Sequence, residues 1–189
     1  MPMGMDSIQS FLLMWVPLTA AMMLPSAVPF LAAYARRARV WPVATAVVIA
    51  VYLAVWTVFG LGVYFVSMLV TLPLAPHVAL GLAVAFAGLW AFTPVMRAGR
   101  ARCIAMCREL GPHSLPAAPL SGATYGLCCV ACSAGVMVAL VVLGMSNVVF
   151  LVAGAAVVFL YKLAHPWTER FDVALSATLI GAGALILVF

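Results

Sequence analysis

The five cysteines of this chain of 189 residues, Cys103, Cys107, Cys128, Cys129 and Cys132, all fall between positions 103 and 132. At 100° per residue a regular helix puts Ser121, Tyr125, Cys128, Cys132 and Gly135 on one stripe, with Cys129 beside it. On the preceding segment, 97–110 can form a short helix, and Met96, Cys103, Cys107 and Leu110 then share a face while Arg97 and Arg108 lie elsewhere. A thiol pair at i, i+4 can converge on one metal ion. Soft thiolate and thioether donors favour Cu(I), and Zn(II) is the second candidate where four ligands assemble. Met22 and Met23 supply candidate thioethers, because a rise of 1.5 Å per residue, counted from the cytoplasmic helix ends, brings them near the depth of Cys132. The predicted metal-binding set is therefore Cys129, Cys132, Cys103, Cys107, Cys128, Met22 and Met23. His113 and His165 lie in gaps between apolar runs and His77 at a helix end, where a solvated histidine is ordinary. A plain packing role stands beside the metal reading, since cysteine fits helix interfaces as a small apolar residue and methionine fills gaps.

The elements that must position these residues are membrane helices. The chain is 68% hydrophobic and 7% charged, with a mean hydropathy of +1.26. Its repeated apolar stretches reach the roughly 20 residues needed to cross a ~30 Å hydrocarbon core. The pattern predicts an all-α, polytopic membrane protein, one integral membrane domain over 1–189, with six transmembrane helices at about 8–34, 41–71, 77–96, 122–144, 147–163 and 172–189. These make three antiparallel hairpins with a cytoplasmic loop at 97–121. Pro17, Pro25 and Pro29 kink the first helix. The nine basic residues, Arg36, Arg37, Arg39, Arg97, Arg100, Arg102, Arg108, Lys162 and Arg170, fall in three alternate gaps. That places those gaps in the cytoplasm and both termini outside. The first apolar run has no basic residue before it and no small-residue cleavage site, so it reads as a retained helix. The expected location is a bacterial plasma (inner) membrane.

Charge and motifs narrow the function. A pI near 9.2 follows from the positive-inside bias, and no gap carries a basic tract interleaved with aromatics, so nucleic acid is not an expected partner. Hydrolase, kinase and dehydrogenase readings find no nucleophile with a credible base, no phosphate loop and no dinucleotide fingerprint. Enzymatic activity by the chain alone is not expected. Four readings stay open. The first is binding or passage of a soft transition metal, foremost copper(I). The second is an accessory subunit of a larger membrane complex, such as a copper-dependent oxidase or monooxygenase, with Gly122, Gly126, Gly135, Gly154, Gly181 and Gly183 permitting close packing against other membrane subunits. The third is a thiol-disulfide oxidoreductase, suggested by the CxxC spacing of Cys129 and Cys132 but disfavoured by a cytoplasmic placement. Coupled ion transport ranks last, because all four acids lie at ends or in gaps. Beyond the lipid bilayer, the expected partners are such membrane subunits.

Several of these residues carry a resemblance. Ala21-Met22-Met23-Leu24-Pro25-Ser26 with Pro29 and Tyr34, Thr93-Pro94, Cys103 through Cys107-Arg108, Cys129 with Cys132 and Met137, Gly144-Met145, and Lys162 with Pro166 are similar to the bacterial predicted metal-binding integral membrane proteins, a domain of unknown function. The resemblance spans roughly 15–166 and implies a metal-handling membrane protein. The chain departs from that pattern at Ala91, Met96, Ser133, Ala134 and Tyr161, which replace polar, thiol or tryptophan positions, and it adds Cys128. The departures imply that the scaffold is kept with part of the family's ligand chemistry missing.

Overall fold

The computed structural model describes residues 7–38, 41–69, 76–108, 115–143, 152, 156 and 168–188, and among these the ordered elements are all helical. Six α-helices follow one another: α1 Ile8–Ala35, α2 Trp41–Leu69, α3 Pro76–Ala91, α4 Pro94–Arg108, α5 Ala118–Leu143 and α6 Thr168–Val188, with a 3-10 turn at Leu115–Ala117 leading into α5. Three stretches, Ile8–Ala35, Pro42–Val66 and Leu115–Val141, are long and apolar enough to cross a membrane, and α3 with α4 makes a fourth if that bent pair is one span. Leu13, Val58, Leu120 and Leu127 are exposed on the outside of the bundle, as suits a surface that meets hydrocarbon. The helix expected at 147–163 lies outside the described residues, which include only Val152 and Ala156 there.

Helix α1 starts where the Ser7 hydroxyl accepts a hydrogen bond from the Ser10 amide at 3.2 Å, a side-chain cap for an amide with no helical partner. It holds its helical course through Pro17, Pro25 and Pro29. Trp15 fastens it to α2 by donating its indole N–H to the Trp56 carbonyl at 3.0 Å, its ring lying where a side chain on Gly60 would be. Phe11 packs on Tyr64 with ring centroids 5.0 Å apart. Since Phe11 precedes Trp15 while Tyr64 follows Trp56, α1 and α2 are antiparallel.

The third helix ends sooner than the apolar pattern predicts, at Ala91 instead of about Met96, and the chain bends by 62° before continuing. The cause is local. Pro94 has no N–H with which to extend α3, yet it suits the first turn of a new helix. Thr93 serves both sides of the break: its hydroxyl donates to the Trp90 carbonyl at 2.7 Å and accepts from the Met96 amide at 3.3 Å. The guanidinium of Arg97 reaches back to the Phe92 carbonyl at 3.0 Å. Much of the stretch expected as the loop 97–121 is consequently helical, as α4 and the start of α5. The fourth predicted span also begins earlier, at Ala118 instead of Gly122, because Pro119 is tolerated in a first turn.

Glycines set the remaining contacts. Side chains at Gly122 and Gly126 would strike Val48 and Val55 of α2, and these pairs advance together, so α2 and α5 run in the same direction. On α3, Gly81 and Gly88 abut Gly183, Leu187, Ser176 and Ile180 of α6, an antiparallel pairing of small residues. Gly135 of α5 seats Trp90 of α3, whose indole donates to the Ala131 carbonyl at 3.0 Å. Four glycines expected to face other subunits, Gly122, Gly126, Gly135 and Gly183, thus make contacts within the chain. Gly181 has open space around it, and Gly154 lies outside the described residues.

Candidate metal centre

The predicted thiols lie where α4 crosses α5, and the crossing is set by Gly99. A Cβ there would fall 2.7 Å from the Ala131 Cβ, 3.0 Å from the Cys128 carbonyl and 3.2 Å from the Cys132 amide. The absence of a side chain lets the two backbones approach. One helical turn further on, Cys103 shares the inward face of α4 with Gly99. Its thiol is set against the Cys128 and Cys132 thiols and interacts with both. On α5 the predicted stripe is buried at Tyr125, Cys128, Cys132 and Gly135, with Ser121 half-buried at its start.

Cys129, the first residue of the CxxC spacing, is fully buried and points differently. Its sulfur lies 3.1 Å from the Tyr52 hydroxyl of α2, while its carbonyl accepts from the Cys132 thiol at 3.2 Å and from the Ser133 hydroxyl at 2.6 Å. Thus Ser133, which stands where the resemblance expects a further thiol, is turned back onto its own helix. Cys107 is half-buried and packs against the same core as the other four thiols. No disulfide joins any of the five.

Met22 and Met23 are both buried in this core. Between them and Pro25 the chain stays helical, and the Ser26 hydroxyl is satisfied by the Met23 carbonyl at 2.8 Å. Aromatic rings close the space around the thiols. Phe30 of α1 stacks on Tyr125 with centroids 4.0 Å apart and planes 5° from parallel, and Tyr125 lies 5.8 Å from the Tyr52 ring. The two histidines His113 and His165 lie outside the described residues.

Two residues of this centre were not singled out from the sequence. Tyr52 was hidden in an apolar run, though a hydroxyl amid Val47–Trp56 is itself a signal in a membrane helix, where a polar group needs a partner. Gly99 was hidden among arginines, and its role exists only once α5 lies against it.

The chemistry of the donor set fits a soft ion, since the thiols are buried among apolar and aromatic groups with neutral sulfur partners. Among the described residues, however, no group of three or more His, Cys, Asp or Glu side chains converges in the arrangement of a metal site. A closed four-ligand zinc site is therefore not assembled among them. Cu(I) asks for less, because two thiolates suffice, and Cys103 meets Cys128 or Cys132 as such a pair.

A family model, PpoB2, described as copper chaperone, matches residues 12–186. That agrees with the metal-related character implied by the sequence resemblance, under a different family from the one it pointed to. No curated protein and no solved structure matches the chain.

Proposed function

We propose, from the premise that this chain belongs to the PpoB2 family of copper chaperones, that it is a multi-pass membrane protein which holds and passes on Cu(I) through thiols at the α4–α5 crossing. The observation that carries this reading is the backbone contact of Gly99 with Cys128 and Cys132, which sets the Cys103 thiol, one turn on, against their thiols inside an otherwise apolar core. Binding converts two thiols to thiolates: two S–Cu(I) bonds form, two protons leave to water, and the bound group carries one net negative charge. Cys129, the half-buried Cys107 and the thioethers of Met22 and Met23 belong to the same core and are the further donors of this reading. Transfer then proceeds by exchange, an acceptor's donor replacing one thiolate at a time.

The reading includes the setting inferred from charge: six spans in the plasma membrane of a bacterium, basic gaps in the cytoplasm and both termini outside. Reporter fusions at Gly111 and Pro73 should report opposite sides, with Gly111 cytoplasmic. The function is tested by purifying the protein in mild detergent under reducing, Cu(I)-supplemented conditions and measuring metal by elemental analysis. Stoichiometric copper is expected in the unaltered protein, and its loss in Cys103→Ser and in the Cys129→Ser/Cys132→Ser double variant, both still folded. A protein that holds no copper yet comigrates with other membrane subunits would replace this reading with the accessory-subunit one.

A further inference from the structure

The hydroxyl of Tyr52 lies 3.1 Å from the Cys129 sulfur, with both side chains buried. The two come from helices brought together only by the α2–α5 packing, 77 residues apart in the chain. A thiol that is merely packed needs no such partner, because S–H is a weak donor and sulfur a weak acceptor. A thiolate is different: in an apolar interior, charge without a hydrogen bond is costly. A copper–bis-thiolate group carries net negative charge, which neighbouring polar groups must answer. At the Cys128 end, the charge of Arg102 is felt. At the Cys129 end, the Tyr52 hydroxyl is a polar group in direct contact with the sulfur.

The direction of that hydrogen bond follows from the charge state of the sulfur. Either atom of the neutral pair can donate, but a thiolate sulfur carries no proton and only accepts, so towards a metal-bound Cys129 the Tyr52 hydroxyl is the donor. The ring cannot easily swing away, because Tyr125 lies beside it and is itself clamped by Phe30.

We propose that Tyr52 is a positioning residue of the copper site, holding the Cys129 sulfur by donating an O–H···S hydrogen bond when that sulfur binds Cu(I). This rests on the copper reading above. It makes Cys129 one of the thiolate donors, and Tyr52 the group that fixes its rotamer and withdraws electron density from it. Partners of this kind orient metal ligands, and their removal costs roughly 10–100-fold in affinity.

The test uses the full-length protein in detergent, titrated with Cu(I) against a coloured Cu(I) chelator, with the near-ultraviolet thiolate-to-copper absorption recorded in parallel. Tyr52→Phe keeps the ring and removes the donor. It is expected to weaken Cu(I) binding about tenfold and to move the absorption to longer wavelength, since an unbonded thiolate gives up its electrons more readily. In a Cys129→Ser background the same change should have no further effect on either quantity. Fluorotyrosine at position 52, a stronger donor of nearly the same shape, should shift the band the opposite way, and it keeps the test intact if Tyr52→Phe folds poorly. Unchanged affinity and absorption in Tyr52→Phe, or an equal loss with and without the Cys129 sulfur, would overturn the proposal. Failure of the unaltered protein to bind copper is a separate result, which removes the copper reading and this inference together.

Discussion

The α4–α5 crossing and the α3–α6 pairing are built by the same device and end with different contents. In both, glycine lets two helices touch along their backbones. At α3–α6, Gly81, Gly88 and Gly183 bring carbonyls and amides against one another, with Ala85, Ser176, Ile180 and Leu187 among their nearest neighbours. At α4–α5, Gly99 does the same against Cys128, Ala131 and Cys132, but the residue one turn further on is Cys103, so the close approach delivers a thiol to two others. Close helix contact is thus scaffolding in itself, and it becomes a candidate site only where soft donors are in phase with the contact point. Membrane helices lack a hydrophobic driving force between them and depend on such small-residue contacts, which explains why both regions need them.

The comparison breaks most readily at Gly99. Gly99→Leu should push α4 away from α5, cost about 1–3 kcal/mol by overpacking, and abolish stoichiometric copper, as read by thermal unfolding in detergent and elemental analysis. Gly181→Leu, placed where nothing lies within 4 Å, should leave both readouts unchanged and serves as the control. Retention of copper by Gly99→Leu would mean that the crossing does not make the site.

Next in size is Gly88→Leu. A Cβ at this position would fall 2.8 Å from the Ile180 side chain and 3.0 Å from the Ser176 carbonyl, so a similar loss of about 1–3 kcal/mol is expected. Copper affinity should stay within about twofold, a change worth less than about 0.5 kcal/mol. Loss of copper here would show that the two regions are one cooperative unit instead of a site and its support.

The smallest expected effect is that of Ser133→Ala. The Ser133 hydroxyl bonds to the Cys129 carbonyl within its own helix, so its removal should cost no more than about 0.6 kcal/mol and leave copper titrations unaltered. A clear fall in affinity would make this hydroxyl part of the site and would sharpen the meaning of its standing where the resemblance expects a thiol.

Much of this could be read before any fold was known, and particular residues show why. The stripe through Tyr125, Cys128, Cys132 and Gly135 is inward in the structure because helical periodicity follows from backbone geometry alone. The face shared by Met96 and Cys103 on α4 is inward for the same reason. The Thr93–Pro94 bend escapes a hydropathy reading, since hydropathy runs smoothly through it while the break arises from a missing N–H and a side-chain cap. Tyr52 could be noticed as a hydroxyl needing a partner, but no local rule names a partner 77 residues away.

What the sequence by itself determined is the class of protein and the kind of chemistry: apolar runs long enough to span a membrane, alternate basic gaps, and soft sulfur donors in helical phase. These are properties of composition and of the 3.6-residue period, and they hold whatever the helices pack against. Only the tertiary structure decided which sulfur meets which, that Cys103 interacts with Cys128 and Cys132 while Cys129 turns to Tyr52. That choice depends on where separate helices cross, and the crossings are fixed by steric contacts at Gly99, Gly122 and Gly126 between segments that no local pattern connects.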